Sequence, residues 1–112
     1  MTKTYKIKDI NGKILFEAEA ESLKECIEFA VWGSVNLNKA NLENTNLTGA
    51  NLIGAELKGA NLKNAILVEA NLSYADLRDA DLRCTYIKGT NFTEANLRNA
   101  NYEGASLWRD KS

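Results

Sequence analysis

Asp76, Asp79 and Asp81 form a dense group of carboxylates in the second half of the chain. Oxygen-rich groups of this kind suit hard divalent cations. The other reactive side chains are two thiols, Cys26 and Cys84, far apart in sequence. There is no histidine, which removes the commonest general base and metal ligand together. No Cys/His cluster, glycine-rich phosphate loop or nucleophile motif is present. We therefore expect no enzyme: no catalytic or cofactor-binding residue, no cofactor, no resident metal and no small-molecule substrate. The aspartates read first as a solvated acidic patch and second as a cation site. Either reading depends on which way they point.

That direction is set by a repeat. From Val35 to Arg109 the chain repeats every five residues: a small residue, Asn or Asp, Leu, then two variable residues. Clear copies are Ala40-Asn41-Leu42, Ala60-Asn61-Leu62, Ala75-Asp76-Leu77 and Ala95-Asn96-Leu97. Fifteen copies fit without insertion and cover 75 of the 112 residues. A long fixed period means a stacked, quasi-one-dimensional fold. An α-helix turns about 100° per residue, so leucines five apart never line up. A flat strand, with period 2, drifts out of phase as well. What remains is a coil that turns a corner every five residues, with Ala and Leu inside. The core column runs through Leu42, Leu52, Leu62, Leu72, Leu82, Phe92 and Tyr102. Gly49, Gly54, Gly59, Gly89 and Gly104 all fall on the fifth position, where the corner comes. In this register the three aspartates point outward.

The A-(N/D)-L-X-X register resembles that of the pentapeptide-repeat proteins. The resemblance implies a mainly β fold: a right-handed quadrilateral β-helix, four pentapeptides per coil. It has about four coils, the last incomplete, and stands roughly 18 Å tall at strand spacing. It also implies functions, since some members act as DNA mimics that inhibit or protect type II topoisomerases. Members can also associate through an uncapped C-terminal end.

Residues 1–34 read as an N-terminal cap on the repeat at 35–109, with a short tail at 110–112. Asn11-Gly12 marks a hairpin over 5–18, in which Ile7 faces Phe16, Tyr5 faces Ala18 and Lys6 faces Glu17. Ser22 and Glu25 form a capping box for a helix over 23–32. Its apolar stripe is Leu23, Cys26, Ile27, Ala30 and Val31, and Gly33 ends it. Cys26 thus reads as a small buried hydrophobe. A cap of this kind resembles that of small bacterial and phage members. Met1 to Ile10 lacks a hydrophobic run of the export type. With two lone thiols, the expected setting is cytoplasmic, with both cysteines reduced.

The net charge is −1, and the repeat balances eight Lys/Arg against eight Asp/Glu. Direct nucleic-acid contact would call for a basic excess, and a duplex mimic for an acidic one. One face stacks Asn38, Lys58, Arg78 and Arg98, a basic stripe flanked by Glu56 and Asp76. Another carries Ile66, Val68, Tyr86, Lys88 and Trp108 with Arg109 at its edge, and Thr45 and Thr85 at its small positions. Ile53 and Tyr74 lie on the adjoining face. The Ile66–Tyr86 face has interface composition. The leading expectation is a non-enzymatic binding or scaffold protein, contacting a protein partner or a second copy through this face or the C-terminal end. The alternative is a DNA mimic, phage-encoded or not, acting on a nucleic-acid enzyme such as a type II topoisomerase.

Overall fold

Residues 20 apart pair throughout the repeat. Parallel bridges join Asn41 to Asn61, Asn61 to Asp81 and Asp81 to Asn101, and the same offset starts from Asn46, Asn51 and Glu56. The Leu62 N–H donates to the Asp81 carbonyl at 2.8 Å, and the Asp81 N–H donates to the Ala60 carbonyl at 2.9 Å. A five-residue repeat with a 20-residue offset places four pentapeptides in each turn of a β-helix. These contacts come from a computed structural model that describes residues 1–107.

Each corner is a hydrogen-bonded turn. The small residue's N–H returns to the Leu carbonyl three residues earlier, as from Ala60 to Leu57 at 3.0 Å. The residue between the variable position and the small one has positive φ at every repeat from Ser34 to Gly104. A positive φ at the third turn residue is the type II signature. Five of the fifteen such corners are glycines, as expected from the sequence, and ten carry a side chain.

The Asn/Asp position proves structural. Its side-chain oxygen accepts from the N–H two residues on, as Asn71 does from Ser73 at 3.0 Å and Asp81 from Arg83 at 3.1 Å. This Asx turn satisfies a backbone donor that the corner would otherwise leave to water.

Inside, the leucines from Leu37 to Leu82 and the alanines from Ala40 to Ala80 are buried. Each leucine contributes about 1.5–3 kcal/mol by leaving water. Two expected core residues behave differently. Phe92 is only partly buried against the core, and Tyr102 is 60 % exposed. The coils that hold them have none stacked above them among the described residues, so the upper side of each ring faces out.

The cap comprises β1 (Lys3–Lys8), β2 (Ile14–Ala20) and α1 (Leu23–Trp32). Tyr5 pairs with Ala18, Lys6 with Glu17 and Ile7 with Phe16, as expected. Beyond Ile7 the simple two-residue hairpin fails: Lys8 pairs with Ile14, so a bulge absorbs Leu15. The bulge frees the hairpin tip to pair with the first coil instead. The Asn41 N–H donates to Lys8 at 2.7 Å and the Ile10 N–H to Lys39 at 2.8 Å. Ser22 caps α1, its Oγ accepting from the Glu25 N–H at 3.1 Å. The left-handed residue after α1 is Ser34, whereas Gly33 keeps φ −84°. From α1, Lys24 Nζ donates to the Thr48 carbonyl at 3.1 Å, and Glu28 accepts the Asn51 N–H at 2.8 Å. The lower edge of the first coil is thus met by hairpin backbone on one side and helix side chains on two others. Among the described residues, no helix is long and apolar enough to cross a membrane.

Candidate protein-binding surface

The aspartate group does not act as one site. Asp76 sits in a two-pronged pair with Arg78, with Oδ1 to Nε at 2.8 Å and Oδ2 to Nη2 at 2.7 Å. Asp81 is held in the same way by Arg83, at 2.9 and 2.7 Å. Hydrogen bonds from these guanidinium groups hold both carboxyls below their ordinary value near 3.8. Each carboxylate also serves its own Asx turn, so its oxygens are committed to the corner. No group of metal-ligating side chains occurs among the described residues. The basic stripe is likewise partly neutralised. Arg78 is paired with Asp76.

The two cysteines are free. Cys26 is buried in the cap, its thiol 3.6 Å from the Tyr5 carbonyl, and burial pushes that thiol up. Cys84 occupies a corner at φ 60° and is exposed.

Of the expected apolar face, Ile66 and Tyr86 do stack, joined by a parallel bridge. Yet Ile66, Val68 and Tyr86 are half-buried rather than exposed, and Lys88 is exposed. Thr85 is buried and donates its hydroxyl to the Leu82 carbonyl at 2.9 Å. Trp108 and Arg109 lie outside the described residues. Packed side by side on the rod wall, these side chains present less free apolar surface than their types suggest.

Of the nine exposed large hydrophobic side chains among the described residues, four fall on one face, whereas Met1, Ile10, Ile14, Tyr102 and Leu107 lie apart from it. Trp32 is 89 % exposed and Phe29 43 %, both on α1. With Glu28, Val31, Asn51 and Ile53 they line one shallow groove where the helix meets the first coil. Ile53 is 47 % exposed, and Tyr74, 65 % exposed, occupies the corner one coil above Gly54. This face is built from residues 49–54, 69–74 and 89–94, with the C-terminal end of α1 below it. Its position follows from the helix register. The buried residues of α1 are Cys26, Ile27 and Ala30, whereas Phe29 and Trp32 fall three apart on another side. That off-stripe pair was the available sequence signal, and the stripe alone did not register it.

Comparison with known proteins agrees with this architecture. The family model for pentapeptide repeats matches eight copies, over residues 34–64, 45–83 and 65–109. The chain belongs to the pentapeptide-repeat proteins. Solved pentapeptide-repeat structures are similar in sequence. One from the Arabidopsis thaliana thylakoid lumen is 36 % identical, with 62 % of this chain and 52 % of that one aligned and a TM-score of 0.47. One from Nostoc PCC 7120 is also 36 % identical, covering 75 % and 78 % of the two chains with a TM-score of 0.38. A third, from Nostoc sp. strain PCC 7120, is involved in regulating heterocyst differentiation; it is 30 % identical, covers 69 % and 42 % of the two chains, and gives a TM-score of 0.32. The chain thus spans about half the length of the Arabidopsis protein. No curated protein matches the chain.

In a pentapeptide-repeat protein the inner pair and the Asn/Asp position build the scaffold, so any specific surface must come from the variable positions and the cap. Here Ile53 and Tyr74 are variable and corner residues, and Phe29 and Trp32 are cap residues. None is needed to close the core.

Proposed function

We propose that this pentapeptide-repeat protein is a non-enzymatic binding protein. The rod, right-handed and just under four coils long, presents a partner-recognition face made by Phe29, Trp32, Ile53 and Tyr74. The observation that carries this reading is the side-by-side exposure of Trp32, Phe29 and Ile53 around one groove on a scaffold whose core is complete without them. Exposed, adjacent aromatic and aliphatic side chains on a rigid support have the composition of interface anchors. The Ile66–Tyr86 face is the secondary contact surface in this reading, and the edge that the last coil presents among the described residues is where a second copy would dock. The duplex-mimic alternative finds little footing: the rod carries no acidic excess, and Asp76 and Asp81 are each neutralised by an arginine.

Affinity capture from lysate of the source cell tests the proposal. The tagged wild type is compared with Trp32→Ser/Ile53→Ser and with Ile66→Lys/Tyr86→Asp, each checked for wild-type circular dichroism. Partner loss in the first variant, with retention or partial loss in the second, supports the assignment. Equal retention of every bound protein by the first variant would sink it.

A further inference from the structure

We infer that the cap is a sequence-blind terminator: it recognises the main chain of a pentapeptide coil, and it closes any coil presented in the same register, not only the one at 35–54.

The kind of atom contacted carries this. Among the described residues, the hydrogen bonds that join the cap to the first coil all end on main-chain atoms of that coil. The Asn41 N–H meets the Lys8 carbonyl, and the Asn51 N–H meets Glu28 Oε2. The Lys39 and Thr48 carbonyls receive the Ile10 N–H and Lys24 Nζ.

One coil up, the rod fills the equivalent positions itself. The Asn61 and Asn71 N–H groups donate to the Ala40 and Ala50 carbonyls, each at 2.9 Å, and the Val68 carbonyl accepts the Gly49 N–H at 2.8 Å. Lys8 and Glu28 thus supply oxygens where alanine carbonyls would stand, and Lys24 supplies a donor where a corner N–H would stand. The cap imitates the missing rung of the ladder, whose groups would otherwise form an open strand edge.

The outward side chains beside these groups change from coil to coil. Thr48 and Ile53, which flank the two helix contacts, become Val68 and Ser73. The inner residues persist: Leu42, Leu47 and Leu52 recur as Leu62, Leu67 and Leu72. Ile7, Cys26, Ile27 and Ala30 of the cap share one buried cluster with these leucines. The coil at 55–74 therefore offers the cap the same ladder groups and nearly the same apolar floor, with Val35 and Thr45 replaced by the smaller Ala55 and Ala65.

Insertion of a second copy of residues 55–74 between Ser34 and Val35 tests the inference, with amide hydrogen exchange as the readout. The cap then sits on a coil it does not meet in the native chain. Glu28→Ala should speed exchange at the copied Asn71 amide by about threefold to tenfold, the factor expected at Asn51 in the chain of native length. It should no longer affect Asn51, which now pairs with the coil below. A copied Asn71 amide indifferent to Glu28→Ala would overturn the inference, and so would a cap that exchanges freely. A second variant, Thr48→Val/Ile53→Ser, gives the native coil the outward residues of the next one without lengthening the rod. Should the inserted chain fail to fold, this variant decides. Retained dependence of Asn51 on Glu28 supports recognition through the main chain, and loss of that dependence overturns it.

Discussion

Among the described residues every fifth repeat position adopts positive φ, and this is where single substitutions should speak most clearly. Nothing lies within 4 Å of a Cβ added at Gly49, whose φ is +69°. Gly49→Ala therefore isolates the backbone cost, and urea unfolding should show a loss of about 1–2 kcal/mol. The glycines were legible as corners because they fell in phase with the repeat. That Lys39, Glu69, Tyr74 and Cys84 share the same φ was not legible, since these residues avoid it on their own. They adopt it because the ladder above and below fixes the corner. The Asn/Asp position was legible as a pattern only: the bond from its oxygen to the N–H two residues on needs coordinates. Asp76 and Asp81 add a titratable part to this role. Their arginine partners depress both carboxyls, so the unfolded chain binds protons more readily than the folded one. The resulting stability is present above the ordinary value of 3.8 and is lost as pH falls through the lower folded value. Asp76→Asn/Asp81→Asn keeps the turn acceptors. Thermal melts between pH 7 and 3 should therefore show a shallower acid decline in this variant than in wild type.

The elements depend on how edges are covered. Leu62 is fully buried in the middle of the stack, and Leu62→Ala should cost about 2–5 kcal/mol in chemical denaturation, because coils held above and below cannot collapse into the void. At the lower edge, Glu28 binds the Asn51 N–H. Glu28→Ala hands that exposed donor to water and should cost about 0.5–1.5 kcal/mol by the same measurement. Hairpin pairs and helix bounds were readable from Asn11-Gly12 and the capping box. The bulge at Lys8 was not, because it answers to the first coil: Lys8 and Ile10 turn their backbone groups toward Asn41 and Lys39. A tertiary edge overrides local turn geometry there. At the other end, Tyr102 was expected to cover the incomplete last coil with its ring, and it is instead 60 % exposed.

For the molecule as a whole, the repeat announces its architecture and is silent about its surface. Periodicity constrains the inner residues, which is why fold and core were readable over most of the chain. The exposed face was only half readable. Ile53 and Tyr74 stood out as departures at outward positions, but Phe29 and Trp32 lie in the cap, and only the docking of α1 on the first coil brings them beside Ile53. The Ile66–Tyr86 column departed from the repeat just as visibly, yet its side chains pack half-buried along the wall. Composition marks a residue as unusual, whereas exposure depends on its neighbours one coil away. The central claim is that partners meet the rod at the cap-proximal aromatic face. Site-specific photo-crosslinking tests this most directly, with a benzophenone side chain at position 32, 74 or 86 in turn and irradiation in source-cell lysate. We expect positions 32 and 74 to yield an adduct with one and the same polypeptide, and position 86 to yield little of it. Adducts confined to position 86, or none from 32 and 74, would contradict the account.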